Sequence, residues 1–203
     1  MSKDVDKMPM SDRFQHLLSI ISGQRFLKKQ GLGNEVPFFI CPFKPEEAVE
    51  MERLQRQLIN RLEQIGVQVL EINLYDLSIE MLKNEGDFEW IIENEAKITK
   101  AKLQEELQGI LSVERSLIPA IAQKIINSEF DVLFLTGVGE VFPYIRSHNV
   151  LNNLQSTAKE KPTVLFFPGS YTHSLESGAS LDLFGKLHDD KYYRAFNIFH
   201  CEA

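Results

Sequence analysis

Phe130-Asp131-Val132-Leu133-Phe134-Leu135-Thr136-Gly137-Val138-Gly139-Glu140-Val141-Phe142-Pro143 is the stretch whose reading decides the fold. From Val132 to Leu135 it is apolar without alternation, so neither face of a strand built from it can meet water. A strand buried on both faces belongs in a parallel α/β sheet with helices above and below it. Gly137 and Gly139 then make a turn that leads, on this reading, into a helix. That helix would offer free N–H groups at the carboxyl edge of the sheet, where ligands of such sheets gather.

Working outward, Val36-Pro37-Phe38-Phe39-Ile40 reads as a first strand, at an edge or with Pro37 near its start, because proline lacks a ladder donor. Pro45, Glu46 and Glu47 open a helix whose apolar stripe is Met51, Leu54, Leu58, Leu62 and Ile65, and Gly66 ends it. Val67 to Leu74 is a second strand, so the unit is βαβ with a right-handed crossover. Residues 75–129 show only helical periodicity, a helical insertion larger than a simple crossover needs. Beyond the central strand, Tyr144 to Ala158 reads as a helix and Thr163 to Phe167 as a buried strand. Gly169 to Ser180 reads as a polar loop, and Ala195 to Phe199 as a fifth strand. At the other end, Phe14, Leu17, Leu18 and Ile21 recur at helical spacing after Ser11 and Asp12, behind a loose tail of residues 1–10. The expectation is one α/β domain over residues 1–203, three-layered, with a mainly parallel sheet of about five strands and an insertion between the second and third.

Charge and cysteine usage narrow the function classes. The net charge of -7, from 22 basic and 29 acidic residues, argues against a surface that embraces nucleic acid throughout. Cys41 and Cys201 have no metal-ligand spacing and are expected to be free thiols of a reducing cytoplasm. No segment approaches the roughly 18 continuous apolar residues of a membrane span.

Motifs for chemistry are incomplete. Gly137-Val138-Gly139 follows a strand, but Phe142 stands where a dinucleotide fingerprint needs a third small residue, and the chain has no Walker loop. Pro168-Gly169-Ser170-Tyr171-Thr172 lacks the glycines of a nucleophile elbow, and nearby His173 does not supply them. The histidines show no metal-binding spacing; Asp182, Asp189 and Asp190 beside His188 fit turn caps better than ligands. No catalytic residue, metal or cofactor is therefore assigned. Two kinds of binding surface remain. Arg146 and His148, with Lys186, Lys191 and Arg194 and the stacking rings of Tyr192 and Tyr193, would make a basic patch, although Asp189 and Asp190 oppose it. Alternatively the aromatics Phe142, Tyr144, Tyr171, Tyr192, Tyr193, Phe196 and Phe199, with Trp90 in the insertion, would anchor a protein interface or simply fill the core.

Several blocks carry a family likeness. Gly31-Leu32-Gly33-Asn34-Glu35-Val36-Pro37-Phe38-Phe39-Ile40, Ile72-Asn73-Leu74-Tyr75-Asp76-Leu77, Leu135-Thr136-Gly137-Val138-Gly139, Ile145-Arg146-Ser147-His148, Leu165-Phe166-Phe167-Pro168-Gly169-Ser170-Tyr171 and Leu183-Phe184-Gly185-Lys186-Leu187 are among them. With Asp189-Asp190 and Tyr192-Tyr193-Arg194-Ala195-Phe196, they resemble the BrxB family of bacterial BREX phage-defence systems. The resemblance runs in order over nearly the whole chain, residues 83–127 excepted. It implies a cytoplasmic, non-enzymatic adaptor working beside a PglZ-type protein, a DNA methyltransferase and the BREX ATPase. The PglZ-type protein is the first expected partner and the ATPase the second. The residues expected to meet a partner or ligand are Gly137, Gly139, Arg146, His148, Tyr192, Tyr193, Arg194 and Trp90. The competing expectation is a nucleotide- or nucleic-acid-binding protein using Gly137, Gly139, Arg146 and His148 at the sheet edge.

Overall fold

The computed structural model describes residues 8–30, 37–174, 178–185, 187–189 and 195–202. In chain order these form α1 (Met10–Ile21), α2 (Gln24–Leu27), β1 (Phe38–Phe43), α3 (Ala48–Gln64) and β2 (Val69–Asn73). The insertion follows as α4 (Leu74–Glu85), α5 (Asp87–Asn94), α6 (Lys100–Ile110) and α7 (Ile118–Ile126). Then come β3 (Val132–Thr136), α8 (Ser147–Leu154), β4 (Thr163–Ser174), β5 (Gly178–Leu183), β6 (Leu187–Asp189) and β7 (Phe196–Asn197).

Alternation along three strands generates the layers. In β3, Val132 and Phe134 enter one apolar cluster while Leu133 and Leu135 enter another. β1 divides Phe39 and Cys41 from Phe38 and Ile40 in the same way, and β4 divides Val164 and Phe166 from Leu165 and Phe167. Side chains of a strand point to opposite faces in turn, so each strand serves two cores. The first core is closed by Leu17, Ile20 and Ile21 of α1 and by Met51, Leu54, Leu58 and Leu62 of α3. The second is closed by α4 to α8 through Leu77, Leu82, Ile91, Leu107, Ile121, Val150 and Leu154.

Five strands pair in parallel in the order β2-β3-β4-β1-β7. The crossover from β1 to β2 passes over β4 and β3 and carries α3 on the first face. The chain then returns through β3 to β4 with α4 to α8 on the second face. Direction and face reverse together, so the crossovers from β1 to β2, β2 to β3 and β3 to β4 all have the same hand, as parallel connections require. An arginine locks the start of this path. Arg13, 1% exposed, donates to both carboxylate oxygens of Glu47 at 2.7 and 3.2 Å and to Met8 O at 2.9 Å, tying α1 to the turn that opens α3. Burial pushes the Glu47 carboxyl up, but the Arg13 guanidinium and the Lys44 N–H and charge outweigh it and hold the group below its ordinary range.

The three-layer parallel fold and the helical insertion stand as the sequence implied, with five local corrections. β1 runs on past Ile40 to Phe43; it pairs with β4 on one side and β7 on the other, so it is interior, and of the two expectations for Pro37 the one that puts it at the strand's start holds. The segment read as a polar loop is an antiparallel ribbon: β4 continues through Ser174 and pairs with β5, which pairs with β6. Tyr171, Leu181 and Leu183 bury one side of that ribbon, an alternation that the serines and threonines obscured. The helix read from Tyr144 begins only at Ser147 and ends at Leu154, because residues 138–144 form turns around Pro143. The last strand keeps only Phe196 and Asn197 and passes into a short turn over Ile198–His200. Ile65, read into the stripe of α3, sits past the helix end and is 47% exposed.

Candidate functional site

At the carboxyl edge of the sheet the chain leaves a cleft of about 860 Å³. Its floor is the ends of β1, β2, β3 and β4 at Phe43, Asn73, Thr136 and Pro168. One wall is the first half of α3, with Val49, Glu52, Gln55 and Arg56; the other is α4, with Tyr75, Asp76 and Glu80. The crossover that skips β4 and β3 brings these walls together, since it carries α3 over strands far from its own in sequence.

The glycine turn after β3 enters this cleft, but its glycines answer to packing. Gly137 has φ +71°, and a Cβ there would collide with the side chain of Asn73, whose Cγ would lie 2.9 Å away. Asn73 needs that space because its Oδ1 accepts from the N–H groups of Tyr75 at 2.9 Å and Asp76 at 3.2 Å, capping α4. A Cβ on Gly139 would meet Pro168 Cγ at 2.9 Å and Phe184 Cε1 at 3.1 Å. The N–H groups that could have held a phosphate at this helix start are thus taken by the protein's own cap.

Charge in the cleft is negative. Glu52, Glu71, Asp76, Glu80 and Glu140 face two cations, Arg56 and Lys124. Both cations are engaged internally, Arg56 with Glu52 at 3.1 Å and Lys124 with Glu80 at 2.8 Å. Glu71 accepts from the buried Thr136 hydroxyl at 3.0 Å. Desolvation first, then the carboxylates of Asp76 and Glu52, push the Glu140 carboxyl above its ordinary range. Three elements therefore aim carboxylates at one another across the opening.

Of the residues singled out from sequence, Gly137 and Gly139 line the cleft, and Arg146, His148 and Trp90 do not. Arg146 is exposed before α8, its guanidinium 5.6 Å from the centroid of the Phe142 ring. His148 is 4% exposed inside α8 and presents no surface, so it cannot belong to a basic patch. Trp90 is 44% exposed on α5. Tyr192, Tyr193 and Arg194, with Lys186, Asp190 and Lys191, lie outside the described residues. Among the proposed aromatic anchors, Tyr171 donates its hydroxyl to Ala195 O at 2.7 Å and Phe199 is 2% exposed, so both belong to the core. Burial raises the Tyr171 phenol to about 12 and likewise pushes the Cys41 and Cys201 thiols upward. A thiol held protonated is a poor nucleophile. The residues that sequence reading missed are Glu52, Gln55, Asp76 and Glu140. Glu52, Gln55 and Arg56 recur at helical spacing beside the apolar stripe of α3, and only the strand order reveals what that face meets.

Among the described residues no helix is long and apolar enough to cross a membrane. The family model for BREX protein BrxB matches residues 70–198. A BREX protein BrxB of Bacillus cereus (strain H3081.97) is 32% identical over 193 residues, spanning 93% of this chain and 97% of that protein. A BREX protein BrxB of Escherichia coli O9:H4 (strain HS) is 30% identical over 186 residues, spanning 92% of this chain and 90% of that protein. No solved structure matches significantly.

Two measurements check this account of the edge. Gly137→Ala should cost about 2 kcal/mol in urea unfolding, from the positive φ and the clash with Asn73. In an Asn73→Ala background, itself down about 1 kcal/mol for the lost cap, the same substitution should cost less, because the colliding atoms are gone. Equal costs in both backgrounds would contradict the packing role. Glu140→Gln should raise Tm at neutral pH and lose that advantage as pH falls below the ordinary carboxylate range. The sign follows from the raised carboxyl: its folded form gains stability from protonation at low pH and loses it as pH rises.

Proposed function

This chain belongs to the BrxB family of BREX phage-defence systems, and from that premise we propose that it is a non-catalytic adaptor. It binds the PglZ-type protein of the system and, as a second partner, the BREX ATPase. The observation that carries the reading is the broad acidic cleft with Val49 56% and Tyr75 44% exposed on its walls. An acidic concave surface with apolar side chains at its walls offers a protein partner both charge complementarity and apolar contact. The self-capped start of α4, the two packed glycines and the protonated thiols support the same reading, because each is a group whose chemistry is already committed to the fold. Trp90, on the helical insertion, supplies a further exposed anchor of the kind a bridging protein needs.

The competing reading, a nucleotide or nucleic-acid binder, draws on one observation: the cleft lies at the carboxyl edge, where open α/β sheets hold such ligands. Five carboxylates against two engaged cations oppose it, since a phosphate would enter a negative field.

Co-expression with the remaining BREX genes, followed by size-exclusion chromatography with mass determination, tests the adaptor. A stoichiometric complex with the PglZ-type protein is expected at low and moderate salt. Elution of the folded chain alone under both conditions would overturn the reading.

A further inference from the structure

We infer that the carboxyl-edge cleft receives an extended segment of a protein partner that carries spaced lysine or arginine residues and an apolar residue, held by Glu52, Asp76, Glu140 and Gln55. The inference rests on the adaptor reading and supplies the chemistry of the partner it would bind.

Three independent observations converge on it. The first is charge: Asp76 and Glu140 form no ion pair with any described residue, and both cations of the cleft are already engaged. The second is Gln55. It is 7% exposed and lines the cleft, and its side-chain amide makes no hydrogen bond to any described residue. The amide reaches solvent only through the cleft, so its two donors and its acceptor are open to a ligand seated there. A peptide, with alternating N–H and C=O groups, matches them. The third is the apolar pair Val49 and Tyr75, exposed on opposite walls, which suits a side chain inserted between them.

Other occupants fit worse. Among the described residues no group of three or more histidine, cysteine, aspartate or glutamate side chains could hold a metal ion. Nucleic acid and anionic membranes would be repelled. A second copy of this chain carries the same net charge of -7 and would be repelled as well. A cationic segment instead relieves the mutual repulsion of Glu52, Asp76 and Glu140 and is drawn in by the field of the whole chain.

Display selection of random twelve-residue peptides against the purified full chain tests the inference without presupposing any BREX partner. Enrichment of peptides bearing lysine or arginine with one or more apolar residues is expected, with affinity falling as salt rises. Affinity for the enriched peptides should drop about tenfold or more in a Glu52→Gln/Asp76→Asn/Glu140→Gln variant. It should also fall in Gln55→Met, which removes no charge and serves if the triple variant folds poorly. Glu105→Gln, on exposed α6, should leave it unchanged. Selection that enriches nothing, enriches uncharged or acidic peptides, or enriches basic peptides that bind the Gln55→Met and triple variants as well as the native chain would overturn the inference. The adaptor reading fails separately: cleft-dependent basic peptides together with no co-purified BREX component would sustain the cleft chemistry and sink the adaptor. A BREX complex together with no cleft-dependent peptide would do the reverse.

Discussion

Everything in this molecule follows from three strands that cannot leave either face in water. Because β1, β3 and β4 each send alternate side chains into two cores, helices must cover both sides of the sheet. To cover both sides with crossovers of one hand, the chain must travel across the sheet and then come back. That return places the strands in the order β2-β3-β4-β1-β7 and sets the first half of α3 against the start of α4 above the carboxyl ends of the central strands. The cleft is thus a by-product of burying Val132 to Leu135 on two faces.

The same constraint decides what the cleft contains. At the end of β2, Asn73 turns to cap α4, and the cap fits only because Gly137 at the end of β3 has no Cβ. Glycines at a strand end suggest an anion cradle when seen as a motif. Here they let two neighbouring elements close on each other, and the space left above them is lined by carboxylates. In an interior where burial is expensive for any charge, Arg13 is admitted only with the bidentate Glu47 beside it. Asp76 and Glu140 of the cleft have no such ion-pair partner among the described residues, and burial first, then the charges of Asp76 and Glu52, raise the Glu140 carboxyl.

The fold was legible in the sequence wherever a periodicity was unmixed. The apolar run of β3 and the stripe of Met51, Leu54, Leu58 and Leu62 named their layer without help from tertiary context. Legibility failed where polar residues carry half of an alternation, as in Ser170-Tyr171-Thr172, whose buried tyrosine could not announce a ribbon by itself. It also failed at the site. Gly137 and Gly139 were visible because glycine after a strand is a local signal. Glu52, Gln55, Asp76 and Glu140 were not, because they come from three elements brought together only by strand order, and a solvated helix face looks the same in sequence whether or not another helix start lies opposite. His148 was misread for a related reason: a histidine in a short helix shows nothing of the core that buries it.

The central claim is that the carboxyl-edge cleft is the surface through which this BrxB family member meets its protein partner. Hydrogen–deuterium exchange of the chain alone and in complex with the PglZ-type protein measures this most directly. Slowed exchange concentrated in residues 43–56, 71–80 and 136–140 is the predicted result. A complex whose protection falls instead on α5 and α6, leaving the cleft segments unchanged, would contradict the account.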